Sequence, residues 1–314
     1  MQYEDFLAHM QVCIEQMAAP RYQVQFHSVI KNNDVEQNGV VLMKEGERVS
    51  PTVYVNTYYE RYLQGESIPK LSKEIVELRI HTVQEHSLEE VADDMSLEKW
   101  KDRIVYRVVN RKSNRKRLAE IPFMQFVDLA ITFHCVVRND DNGIGSFIVT
   151  RDLMESWNLT VKGLYQFAGV NTPKLFPSSI RTMEEVLQEL FIEELSPSII
   201  TEEVIEDVKQ EIAAQAEFVH SMYILSNLNN INGASALLYP NVIENFSNQI
   251  QSNIYILPSS IHEVILVPFQ EEIDKSQLIQ MVSEVNETQV AAEEVLSSNI
   301  YYYDRMCKEI MLEE

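Results

Sequence analysis

The chain has 314 residues, 45% hydrophobic and 24% charged, which is enough apolar material for a sizeable core and argues against global disorder. A formal net charge of −22 disfavours whole-molecule attraction to DNA, RNA or anionic lipid and is compatible with a basic protein partner. With only 8 glycines, a barrel of tight hairpins is not expected, and the scattered Cys13, Cys135 and Cys307 form no CxxC pair, which suits a reducing compartment.

Phe6, Leu7, Met10, Ile14 and Met17 fall near helical spacing and predict an amphipathic helix over residues 3–17, ended by Pro20. Early acids and the lack of a basic segment there predict no secretory signal. Alternation through "YQVQFHSVI" predicts a half-buried strand, and "GVVLM" and "TVYVN" complete an antiparallel meander. A helix follows with Leu71, Ile75, Leu78 and Val83 near one face, then a capping box of Ser87 and Glu90.

Residues 101–117, "KDRIVYRVVNRKSNRKR", hold eight basic residues and one acid. They read as a strand and then an exposed loop or helix start. A domain boundary is placed there, giving domains 1–117 and 118–314. "FVDLAITFHCVV" is apolar and β-branched and predicts a central strand, with "NDDNG" as a turn and "GSFIVT" as its partner. At about 15 residues, the longest apolar stretch is short of the roughly 20 a membrane span needs.

Helices are predicted at 151–157 and 161–169, then a proline-punctuated loop over 171–182. A capping box of Thr182 and Glu185 opens the next helix, and Val204, Val208, Ile212 and Val219 mark another. "SMYILSN" and "GASALLY" predict strands, and "PNVIENFSNQI" a helix with Pro240 at its first position. "NIYIL" and "EVILVP" predict strands around the turn "PSSIH". Asp274 caps a helix, with Ile273 and Leu278 as a staple, and "NIYYYDR" with "KEIML" closes as a hairpin. The sum is an α+β protein with mixed, mainly antiparallel sheets flanked by helices.

Chemistry is concentrated at "PSSIH". Ser259, Ser260, His262 and Glu263 supply a hydroxyl, an imidazole and a carboxylate, the groups of nucleophilic catalysis. Neighbouring strand residues face opposite ways and no G-x-S-x-G elbow is written, so a polar turn is the preferred reading. Asn171 and Arg181 are polar handles of the 171–182 loop and further candidates for binding, although prolines that simply set the loop's shape are the preferred reading. No HExxH or HxH pair occurs among the seven histidines, so no metal is expected. "GIGS" at 143–146 lacks the lysine of a phosphate loop, and no cofactor is expected. The segment Arg103–Arg117 is the one stretch suited to an acidic partner or a nucleic acid, although a solvated loop partly neutralised by the protein's own acids is the preferred reading.

Several stretches together, among them "NNDVEQNGVVLMKEGERVSPTVYVNTYYERYLQGE", "SFIVTRDLMESWNL", "NTPKLFPSSI", "INGASALLYPNVI", "YILPSSIHEVILVP" and "VNETQVAAEEVLSSNIYYYDR", run through almost the whole chain in order. On these the chain resembles an uncharacterised family common in anaerobic Gram-positive bacteria, catalogued as domain of unknown function five-six-eight-eight. The resemblance implies a bacterial intracellular module and carries over no catalytic residues. The expected function is a non-catalytic, cytoplasmic protein-binding or regulatory module, with a protein as partner and no membrane association. A hydrolase or nuclease-like enzyme using Ser259 or Ser260, His262 and a nearby carboxylate is the alternative.

Overall fold

A computed structural model describes residues 1–46, 50–82, 94–140, 143–194, 222–271 and 273–313. The Ser87–Glu90 capping box and the run from Val204 to Val219 lie outside the described residues. The chain divides into two compact units, Met1–Arg103 with Cys135–Phe147, and Ile104–His134 with Ile148–Glu314.

In the first unit, α1 (Tyr3–Ala18) buries Phe6, Met10, Ile14 and Ala18, a strict i, i+4 series. That series selects Ala18 for the core and leaves Met17 exposed. Strands β1 (Gln23–Ile30), β2 (Glu36–Met43) and β3 (Thr52–Tyr54) form the expected antiparallel meander, with Phe26 opposite Val40 and Val40 opposite Val53. Helices α2 (Asn56–Leu63) and α3 (Ile68–Thr82) close the core, where Leu71 and Ile75 pack with Leu42, Val55 and α1. The buried Arg79 donates from Nε to the Leu42 carbonyl at 2.8 Å. A short helix, α4 (Leu97–Trp100), buries Trp100 edge-on against Phe147 at 4.9 Å.

The second unit begins with β4 (Ile104–Asn110), a one-turn helix α5 (Arg115–Leu118) and β5 (Phe123–Phe126). Strand β6 (Leu129–Asp140) opens in this unit, where it pairs with β5 in antiparallel register, Phe126 opposite Leu129, and lies between β4 and β5; from Cys135 on it belongs to the first unit, as does β7 (Gly143–Ile148), which pairs with it, up to Phe147. The central strand expected from "FVDLAITFHCVV" is β6, which takes up the stretch from Leu129 onward, with "GSFIVT" as its partner β7; Phe126 ends β5, so the first residues of the stretch close a β5–β6 hairpin. Its turn is Val127–Asp128, with Val127 at φ 51°. A β-branched residue in that region is disfavoured, so local sequence hides the turn and tertiary anchoring of Asp128 must hold it.

Helices α6 (Arg151–Ser156) and α7 (Val161–Leu175) start on the caps Thr150 and Thr160, whose side chains accept from Leu153 N and Gly163 N. The proline-punctuated loop expected over 171–182 is absent. Pro173 lies inside α7, and β8 (Ser178–Thr182) follows. The helix persists through the proline because its last turn is tied to β4. Asn171 Nδ2 donates to Ile104 O at 3.0 Å, and Thr172 Oγ1 accepts from Tyr106 N at 3.0 Å. Ser235 Oγ accepts from Val108 N at 3.3 Å. Residues 104, 106 and 108 present their backbone groups on one side of the strand, and all three are met by side chains.

Thr182 and Glu185 form the predicted reciprocal cap at the start of α8 (Met183–Glu194): Glu185 N donates to Thr182 Oγ1 at 3.1 Å, and Thr182 N to Glu185 Oε2 at 2.9 Å. Strand β9 (Tyr223–Asn227) is as expected, but "GASALLY" forms a tight 3-10 turn over Gly233–Leu238 rather than a strand. Asn232 enters it in the left-handed region, and Gly233 to Leu237 are all buried, so their pattern carries no period. Helix α9 (Val242–Ile250) begins after a left-handed Asn241, so Pro240 precedes the cap rather than occupying the first turn.

Strands β10 (Ile254–Leu257) and β11 (Val264–Pro268) pair as expected. The Asp274 carboxylate caps α10 (Lys275–Thr288) through Ser276 N at 2.9 Å. The closing hairpin is β12 (Tyr301–Asp304) with β13 (Glu309–Leu312). A six-stranded sheet results, in the order β13-β12-β10-β11-β9-β8, and α10 packs Leu278 and Val282 onto Tyr255, Leu257 and Val267. The architecture is α+β with mainly antiparallel sheets. No helix among the described residues is long and apolar enough to cross a membrane.

Candidate functional site

The basic segment leaves β4 through a turn built on Asn110. Its Oδ1 accepts from Ser113 N at 2.8 Å, its carbonyl accepts from Asn114 Nδ2 at 2.8 Å, and its own Nδ2 donates to Leu296 O at 2.8 Å. An asparagine side chain closing a turn in this way fixes the loop without a regular ladder. Arg111, Lys112 and Arg115 are thereby held on the surface, exposed, and no carboxylate among the described residues pairs with them.

Opposite them, the β5–β6 turn presents Asp128. Its Oδ2 accepts from Ser297 Oγ at 2.8 Å and Asn299 Nδ2 at 2.9 Å, and its Oδ1 from Tyr301 Oη at 2.5 Å. Burial, and then the Asp128 charge, push the Tyr301 phenol far above its ordinary range, so it stays a donor. Asp128 thus ties three side chains of the segment leading into β12 to the hairpin turn.

Between the basic turn and this hub lies a cavity of about 840 Å³. Arg111, Lys112, Arg115 and Arg151 line it, with Leu118 and Phe123 as an apolar wall and Ser113 and Ser298 as hydroxyl donors. Arg151 is steadied by long bonds to Ala119 O at 3.4 Å and Leu118 O at 3.3 Å. Asp128 is the one acid in the lining, and both its oxygens already accept hydrogen bonds. Such a surface favours an anion.

The turn "PSSIH" is arranged differently from a nucleophilic site. Pro258 O accepts from Ser297 N at 2.8 Å, Ser259 O from Leu296 N at 2.8 Å, and Ile261 N donates to Glu294 O at 2.9 Å. Ser259 and Ser260 are buried. The Ser260 hydroxyl accepts from His262 N at 3.0 Å, and burial shifts the neighbouring Glu263 carboxyl upward. His262 Nδ1 accepts from Asn232 N at 3.3 Å, so the ring proton sits on Nε2, 3.3 Å from Glu294 Oε1. Both imidazole nitrogens are engaged, and neither contacts a serine hydroxyl. The segment acts as a clamp on residues 294–297 and so sets the position of Ser297 at the Asp128 hub.

The family of unknown function DUF5688 matches residues 3–305. The chain belongs to that family. No curated protein and no solved structure matches it. In this DUF5688 chain the other two sequence candidates stand away from the cavity lining. Asn171 is the buried donor to β4, and Arg181, on β8, pairs with Glu189. The described residues hold no group of three or more His, Cys, Asp or Glu suited to a metal ion. Sequence reading singled out the basic segment but missed Asp128, Arg151 and Ser298. The one local signal for Asp128 was an acid interrupting an apolar run.

One buried group of the DUF5688 chain gives a pH test. His134 lies on β6, with Nε2 3.1 Å from Thr132 Oγ1, and burial followed by the charges of Arg107 and Arg117 holds its pKa well below the usual imidazole value. The unfolded chain takes up this proton near pH 6.5 while the folded one does not, so the contribution is complete above about pH 6.5 and is lost as pH falls. Glu263, shifted upward, acts with the opposite sign, losing stability as pH rises past its unfolded value. Comparing the parent with His134→Gln removes the shared terms. Urea unfolding between pH 6.5 and 5.5 is expected to show a slope shallower by up to about 1.4 kcal/mol per pH unit in the variant. Equal slopes would mean that His134 does not change protonation on unfolding.

Proposed function

We propose that this protein is a non-catalytic, cytoplasmic binding module that recognises an acidic segment of a protein partner in the cavity beside Asp128. The observation that carries this reading is the convergence of Arg111, Lys112, Arg115 and Arg151 on one cavity whose single lining acid, Asp128, bonds Ser297, Asn299 and Tyr301 rather than any of them, in a chain of net charge −22. Cations left unpaired amid so many acids fit an anion supplied from outside. The −22 field opposes a long polyanion lying across the surface, so a local acidic segment fits better than nucleic acid. The engagement of both His262 nitrogens in the turn's own bonds favours binding over hydrolysis.

Fluorescence anisotropy with a degenerate peptide library carrying a central Glu-Glu pair, against the same library with Gln-Gln, tests this. The acidic library should bind, more weakly as salt rises, and the variant Arg111→Ala/Lys112→Ala/Arg115→Ala should bind at least roughly tenfold less well, since exposed substitutions leave the fold intact. Equal binding of both libraries, or an unaffected variant, would overturn the assignment.

A further inference from the structure

Resting on that reading, we propose that the acidic group seated in the cavity is a phosphoryl group on a partner's serine, threonine or tyrosine side chain. The donor set exceeds what a carboxylate uses. One carboxylate has two oxygens and is served by a single guanidinium fork, whereas a phosphoryl group carries about −1.5 to −2 charges and three acceptor oxygens. Arg111, Arg115 and Arg151 offer three forks, and Lys112 adds a point charge. The hydroxyls of Ser113 and Ser298 are neutral donors on the same lining.

The remaining features separate this ligand from its rivals. Arg151 is oriented from behind by the Ala119 and Leu118 carbonyls, which leaves the rest of its fork for a ligand. Asp128 would repel a dianion, but Ser297, Asn299 and Tyr301 already occupy its oxygens, so its charge is spread over three donors. Leu118 and Phe123 give a phosphorylated side chain an apolar wall for its stem. At about 840 Å³ the space exceeds what inorganic phosphate needs and accommodates the modified side chain with its neighbours.

The test uses the full chain and degenerate peptide libraries of one design, with phosphoserine, phosphotyrosine, glutamate or serine fixed at the centre, plus a single-stranded oligonucleotide. A phosphopeptide library is expected to bind at least roughly tenfold more tightly than the glutamate library and to tighten from pH 5 to 7 as the phosphate loses its second proton near pH 6. Arg151→Lys, which keeps the charge and removes the fork, is expected to weaken the phosphopeptide about tenfold and the glutamate library less. Glutamate binding as tight as phosphopeptide overturns the phosphoryl assignment and leaves the acidic-segment reading standing. Failure of every peptide overturns both. An oligonucleotide that outcompetes the phosphopeptides overturns both in favour of nucleic acid.

Discussion

Replacing Asp128 by alanine is expected to lower unfolding stability by about 4 kcal/mol, because hydrogen bonds to a charged acceptor contribute roughly 1.5–3 kcal/mol each and do not add fully. Three donors lose their acceptor together: Ser297 Oγ, Asn299 Nδ2 and Tyr301 Oη. Tyr301 and Ser297 are buried, so water does not replace what they lose without rearrangement. The β5–β6 turn also loses what holds Val127 at φ 51°. Graded substitutions separate these effects. Tyr301→Phe removes one bond and should cost about 2 kcal/mol, and Asp128→Asn, which keeps an acceptor and forfeits the charge, should fall between the other two. Urea midpoints with unchanged slope would measure them. A loss below about 1 kcal/mol for Asp128→Ala would mean that the hub contributes no more than an ordinary surface contact.

The second large effect is steric. A Cβ on Gly233 would stand 2.1 Å from Ser226 Oγ, 2.5 Å from His262 O and 2.7 Å from Asn227 N. Two of those atoms are backbone, and His262 O already accepts from Ser226 Oγ at 2.8 Å. Neither can retreat without moving β9 or the 258–262 clamp. Gly233→Ala is therefore expected to destabilise by about 3 kcal/mol, the upper part of the usual range for overpacking. Gly169, inside α7, has nothing within 4 Å of the same virtual atom. There Ala is expected to stabilise by roughly 0.5–1 kcal/mol through helix propensity. Thermal unfolding of the two single variants should move in opposite directions, and a shift of the same sign would contradict the packing described around the 3-10 turn.

How much of this was legible in the sequence depends on how far apart the interacting residues lie. The Thr182–Glu185 box, the Asp274 cap and the strands on either side of "PSSIH" are written within a few residues, and all are as the sequence predicts. The basic segment was visible as composition. Asp128 was not legible as a hub, because its partners lie 169 to 173 positions away and a local reading sees only an acid inside an apolar run. Asn171 looked like a loop handle for the same reason, since its acceptor is 67 residues away. "GASALLY" failed differently: small residues buried all round give neither period, and the close approach that demands Gly233 is made by other segments.

The side chains along β4 have a consequence for the protein in crowded solution. β4 ends its sheet, and a strand in that place ordinarily offers open backbone groups to any extended chain that drifts past. Here Asn171, Thr172 and Ser235 occupy the positions an incoming strand would need at residues 104, 106 and 108. Removing them would turn a finished border into a template. All three are buried, so truncating any of them leaves a β4 backbone group without its partner, and loss of stability and a stickier edge would arrive together.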